Sequence, residues 1–186
     1  SIAGEDGHRI SAHRALQLNP KVARIAEKDA LQKLRYGFSG EGSSLHHRQG
    51  QRYKQNPEVH LIQDFDFVIQ ALFADQAKTT LISHKKLLAG GHDKADLTKF
   101  ETLERIWKNV LPHRTLMIDG DDIQTKAADD TPQYSASQMS DGERAGFYLM
   151  GQALVAKPNS LLIIDEPELH VHPSIMSKLW DEIEAA

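Results

Sequence analysis

Three short stretches carry residue types that can do chemistry together. The first is Leu161-Leu162-Ile163-Ile164-Asp165-Glu166-Pro167, an apolar run that ends in two adjacent carboxylates and a proline. Four apolar residues in a row suit a parallel strand buried on both faces. Ligands of parallel sheets gather at the carboxyl ends of their strands. Consecutive strand residues point to opposite sides, so the two acids can divide the work. One can hold Mg²⁺, usually through water, and the other can orient a water molecule against a phosphoryl group. Pro167 ends the strand by removing a backbone donor. A buried strand followed by a charged turn is the purely structural alternative.

The second stretch is Met139-Ser140-Asp141-Gly142-Glu143-Arg144. Ser140 and Glu143 have the spacing of a capping box, and Asp141 adds negative charge where the helix dipole favours it. Gly142 in the first turn costs about 1 kcal/mol of helix stability against alanine, a cost with a purpose if something must approach the backbone there. A helix start with a hydroxyl and free amides also suits a phosphate. The third stretch is Glu168-x-His170-x-His172, whose extended i, i+2 histidines have metal-ligand spacing.

These stretches need elements to hold them. HRISAHRALQL alternates, with Ile10, Ala12, Arg14 and Leu16 on one side, and predicts a short strand broken at Asn19-Pro20. On that strand Arg14 reads as a surface arginine. KVARIAEKDALQKLRY has helical spacing, and residues 37–57 read as a glycine-rich, polar loop. A second helix is expected from near His60, with Leu61, Ile62, Phe65, Val68, Ile69, Leu72 and Phe73 on its apolar face. A third runs over 97–110, with Leu97, Phe100, Leu103, Ile106 and Trp107 inward. TLMIDG predicts a strand and turn, residues 126–138 a loop, residues 140–156 a helix, 161–164 a strand, and a last helix starts near Pro173.

MSDGER opening a helix, then LLIIDEPE about 20 residues later, resembles the signature and Walker B pair of ABC-type ATPases. The branch it is similar to contains RecF-like, structural-maintenance-of-chromosomes and overcoming-lysogenization-defect ATPases, also grouped with AAA-family ATPases. HRISAHRAL and the long helical block look like bacterial ATPases of anti-phage defence operons. The resemblance implies an α/β fold, the ABC-like P-loop NTPase sheet core with a helical insertion. It divides one partial ATPase domain into a core strand (1–18), a helical insertion (19–110) and a core with signature and Walker B motifs (111–186). It also implies ATP and Mg²⁺ as cofactors, Asp165 as the Mg²⁺ aspartate, acting via water, and Glu166 as the catalytic glutamate. Ser140, Asp141, Gly142 and Glu143 become nucleotide-binding. His170, His172, Pro173 and Ser174 become a D-loop at a dimer interface. Gln17 is a Q-loop candidate by position, and Arg14 is another polar candidate that reads better as a surface arginine. A head-to-head homodimer that controls an effector nuclease or a nucleic-acid transaction is the implied assembly.

Such a site needs a phosphate-cradling GxxxxGK[ST]. Gly37-FSGE-Gly42-Ser43-Ser44 has the glycine spacing, but serine stands where lysine belongs. The phosphate loop is therefore expected upstream of Ser1 and the switch histidine beyond Ala186, and the chain alone is expected to be inactive. Two other function classes compete. One is a metal-dependent hydrolase using Glu168, His170 and His172. The other is a non-catalytic helical module that binds nucleic acid or a partner, in which Trp107 and Tyr134 could stack on bases.

Composition sets outer limits. Of 186 residues, 40% are hydrophobic and 26% charged, which suits one globular domain with a core. With no cysteine there are no disulfides and no thiolate zinc sites. No apolar run approaches the roughly 18–20 residues that span a bilayer, so no membrane partner and a cytoplasmic location are expected. Net charge is −4, split as +4 over residues 1–60 and −8 over the rest, and the positive part can approach nucleic acid.

Overall fold

The computed structural model describes residues 7–12, 14–54, 60–90, 95–119, 122–127 and 131–185. In chain order the elements are β1 (Gly7–Ile10), α1 (Glu27–Tyr36), α2 (Leu45–Gln51), α3 (Phe65–Leu88), α4 (Lys99–Val110), β2 (Thr115–Asp119), β3 (Asp122–Lys126), β4 (Tyr134–Ser135), α5 (Asp141–Val155), β5 (Leu161–Ile164) and α6 (Pro173–Ala185). A 3₁₀ turn at Ala136–Gln138 joins β4 to α5. β1 and β5 form a parallel pair in the register Gly7–Leu161 to Ile10–Ile164. β2, β3 and β4 form a separate antiparallel sheet. The fold class is therefore α/β with a parallel strand pair and packed helices.

One hydrophobic core joins the parallel pair to the helices. It contains Ile10 of β1, Leu34 of α1, Val68 and Leu72 of α3, Leu103 and Trp107 of α4, Phe147 and Leu149 of α5, and Leu179 of α6. The predicted helical insertion thus shares its core with the strand pair. α4 begins at a capping box made by Thr98 and Glu101. That cap leaves Leu97 outside the helix and 62% exposed, against the expectation that it faces inward, while Phe100, Leu103, Ile106 and Trp107 are buried.

Other boundaries moved for tertiary reasons. β1 stops at Ile10, because the chain then turns to pair Arg14 with Ile62 in a parallel bridge, Ala15 N–H donating to the Ile62 carbonyl. That bridge keeps Ile62 out of the helix, and α3 begins at Phe65. Residues 21–26 stay out of α1, since Gln70 on α3 donates to the Ala23 carbonyl at 3.0 Å and gives that backbone a partner outside any helix. The 37–57 loop contains α2, a short helix with no buried residue. β3 was not anticipated, because DIQTK carries polar residues on both faces. Its buried Thr125 is satisfied by donating its hydroxyl to the Thr115 carbonyl across the hairpin.

Candidate functional site

Asp165 and Glu166 lie just past the end of β5, where residues 165–170 form a bend and turn. Their side chains therefore do not alternate across a strand. Asp165 N–H donates to the Ile10 carbonyl, so its backbone still follows β1. Glu166 is exposed and has φ +46°, a left-handed conformation uncommon for a residue with a side chain and one that clusters at functional sites. β5 itself is less covered than a central strand. Leu161 is 52% exposed and Leu162 to Ile164 are only half-buried, because among the described residues β5 pairs with β1 alone.

Two arginines meet this turn, Arg9, which the sequence did not single out, and Arg14. Arg9 on β1 pairs with Asp165, its Nε donating to Oδ2 at 2.8 Å. The pair is half-open to solvent, which screens it. Among the described residues only Oδ2 is engaged, which leaves Oδ1 to a cation or its water shell. Arg14 is the second, and here the expectation of a surface side chain fails. It is 6% exposed and donates from Nη1 to the Ser11 carbonyl at 2.8 Å and the Asp165 carbonyl at 3.3 Å.

The start of α5 is built as its sequence predicts. Ser140 and Glu143 form a full capping box. Glu143 N–H donates to Ser140 Oγ, while the Ser140 N–H and hydroxyl donate to Glu143 Oε2 at 2.8 and 2.7 Å. Glu143 Oε1 accepts from Arg114 Nε at 2.8 Å and from the Tyr134 hydroxyl at 3.0 Å. Burial raises the Glu143 pKa, but these hydrogen bonds outweigh it and leave a net downward shift. Glu143 is thus fully engaged inside the protein, whereas Ser140 and Asp141 are exposed. Tyr134 is committed to this anchor, and Trp107 is fully buried, its Nε1 donating to the Arg114 carbonyl.

Gly142 joins the two stretches. A Cβ placed there would stand 3.2 Å from the His170 carbonyl oxygen. The first turn of α5 therefore lies against the turn that follows Glu166, and only glycine leaves it there without displacement. Beyond that turn, His172 closes the start of α6: its Nδ1 accepts from Ser174 N–H at 3.2 Å and meets the Ser174 hydroxyl at 2.8 Å. Pro173 takes the first helical position, where a missing N–H costs nothing. Among the described residues no three His, Cys, Asp or Glu side chains gather closely enough to hold a metal, so Glu168, His170 and His172 do not form the constellation a metal hydrolase needs.

Gln17 is exposed and lines a cleft of about 660 Å³ with Asn19, Gln63, Ser135 and Ser137. It faces the segment before α5. Gly37 has φ +89°, and its N–H caps α1 on the Lys33 carbonyl. GFSGEGSS thus links helix to helix, where a phosphate loop links strand to helix.

A polar network unforeseen from sequence lies behind the site. Asp64, before α3, accepts from Arg52 Nη2 and the Tyr148 hydroxyl at 2.7 Å each and from Gln152 Nε2 at 3.2 Å. Gln152 Oε1 meets His8 Nε2 at 2.7 Å. All five side chains are buried, and they tie β1, α3 and α5 together. Burial drives the His8 pKa down to about 4, so its imidazole is neutral in the core.

A family model described as "AAA domain, putative AbiEii toxin, Type IV TA system" matches residues 88–186, more than half of the chain and the part that holds both α5 and the carboxylate turn. The chain belongs to this AAA-domain family. The AAA domain is an ATPase-like, nucleotide-binding type of domain, and domains of this type generally bind ATP and Mg²⁺. No curated protein matches the chain, and no solved structure matches it. Among the described residues no helix is long and apolar enough to cross a membrane.

Proposed function

We propose that this AAA domain supplies the carboxylate and signature elements of a Mg²⁺-ATP hydrolysis site of the RecF, structural-maintenance-of-chromosomes and overcoming-lysogenization-defect branch, on an ABC-like core. The observation that carries the reading is the packing of Gly142 against the His170 carbonyl, which puts the α5 start beside the segment that follows the carboxylates, so that both can face one second copy. Asp165 fits a Mg²⁺ ligand, since among the described residues Arg9 meets Oδ2 and nothing meets Oδ1. Bound Mg²⁺ would neutralise phosphate charge. Glu166, exposed and held at positive φ, orients the attacking water and takes its proton.

The Asp141 and Gly142 amides at the exposed start of α5 are a place for phosphate oxygens, and the Ser140 hydroxyl, held by Glu143 in this structure, would have to exchange that partner to join them. In this reading they receive the γ-phosphate of ATP held by a second copy, and His170 to Ser174 line the dimer interface. Glu143 does not touch nucleotide but fixes the helix start from behind. The dimer controls an effector nuclease or a nucleic-acid transaction in defence against phage.

The test uses the native protein that carries this chain. A fluorescent ATP analogue is titrated with and without Mg²⁺ against wild type and Glu166→Gln, and phosphate release is followed. The reading expects Mg²⁺-dependent binding by both and hydrolysis by the wild type alone. Unchanged hydrolysis in Glu166→Gln removes Glu166 from the chemistry.

A further inference from the structure

Arg14 has no part in the reading above, yet its surroundings are unusual. It sits where the chain leaves β1 and crosses to the start of α3, bridged to Ile62. Its guanidinium lies over the Tyr148 ring of α5, 6.0 Å from the centroid. Nη1 reaches two carbonyls, those of Ser11 and Asp165, which are 154 residues apart in the chain. Among the described residues Nε and Nη2 are buried and have no hydrogen-bond partner, two orphaned nitrogens where Arg48, Arg52 and Arg144 each have one. Native proteins rarely bury polar nitrogens that way, and each instance needs a reason. The charged and titratable groups that face Arg14 are Tyr148, Asp64, Asp165 and Glu166.

We propose that Arg14 is the positioning residue of the carboxylate turn: from a fixed seat against Tyr148 it holds the Asp165 carbonyl and so sets where the Asp165 and Glu166 side chains stand relative to the start of α5. This rests on the ATPase reading for its consequence in hydrolysis, but not for its structural content. The Asp165 carbonyl immediately precedes the left-handed Glu166. A donor on that carbonyl restrains the peptide whose rotation would return Glu166 to an ordinary conformation. The seat is shared with the buried network through Tyr148, whose hydroxyl donates to Asp64. The turn is thereby referenced to α5, the helix that carries Ser140, and to α3.

The experiment compares wild type with Arg14→Gln and Arg14→Lys in the native protein, using amide hydrogen exchange read by mass spectrometry. The two windows are residues 165–171 and, as internal reference, 145–155. Arg14→Gln is expected to speed exchange in the turn by about tenfold with the reference window unchanged, and Arg14→Lys, which keeps one donor, by less. The second readout is steady-state hydrolysis. Arg14→Gln is expected to lower kcat about tenfold with KM for Mg²⁺-ATP held within about twofold, the pattern of a residue that acts on the reacting groups and not on binding. Exchange in the turn that matches wild type in both variants overturns the proposal. So does acceleration of both windows together, which marks a general loss of stability, and so does a fall in kcat no larger than the loss of folded protein. Should Arg14→Gln fail to fold, Arg14→Lys decides by the same two windows. If Glu166→Gln leaves hydrolysis intact, the ATPase reading falls, while the exchange result still decides the role of Arg14.

Discussion

His8 makes the dependence of this fold on pH calculable. Its imidazole is buried against Gln152, and burial, opposed in part by that hydrogen bond and by Asp64 and reinforced by Arg52 and Arg48, lowers its pKa from 6.5 to about 4. The unfolded chain therefore takes up this proton first as pH falls. Stability from His8 is fully present above pH 6.5, and it is lost as pH drops toward 4. At 1.36 kcal/mol per pH unit, moving from pH 7.5 to 4.5 costs about 2.5 kcal/mol through this one group. Other carboxylates titrate in the same window, so the test is a difference. Urea unfolding is measured at both pH values for wild type and for His8→Gln, whose amide can still donate to Gln152 but cannot titrate. Wild type is expected to lose about 2.5 kcal/mol more than the variant over that interval. Equal losses would refute the reasoning and mean that His8 is protonated, or solvated, in the folded state.

Gly151→Ala places a Cβ 2.7 Å from Cγ1 of the fully buried Val68. Overpacking of about 1–3 kcal/mol outweighs the roughly 1 kcal/mol of helix propensity gained, so the melting temperature falls, and adding Val68→Ala is expected to recover part of it. Ser140→Ala removes the cap of α5 and is expected to cost about 1 kcal/mol in chemical denaturation. In the ATPase reading it also weakens Mg²⁺-ATP turnover, whereas Thr98→Ala, which loses the matching cap on α4, costs similar stability and spares turnover. Tyr148→Phe withdraws a donor from buried Asp64 and is expected to cost about 1.5–3 kcal/mol, measured by the same denaturation.

The start of α5 was legible because capping is local: Ser140 and Glu143 satisfy each other within one turn, whatever the rest of the fold does. The same holds for the inward face of α4, set by a helical period. What escaped was set by distant partners. Arg14 reads as surface on an alternating stretch, and only Asp165, 151 residues away, and Tyr148 make it a buried residue. Arg9 finds Asp165 across a similar separation. Asp64 resembles an ordinary helix-capping acid, and no local pattern reveals that Arg52, Tyr148 and Gln152 converge on it. The strand at 161–164 was recognised, yet its burial was not, because burial belongs to neighbours and periodicity carries no information about them.

The Glu143 carboxylate accepts from four donors drawn from three places: the cap of its own helix, the loop after α4 through Arg114, and the short strand β4 through Tyr134. It works as a shared axle. The α5 start is thereby fastened to β4 and to the segment that enters β2. β4 also runs straight into α5 through the 3₁₀ turn at Ala136–Gln138, so the small antiparallel sheet and the exposed helix tip are joined twice, once by the chain and once by this carboxylate.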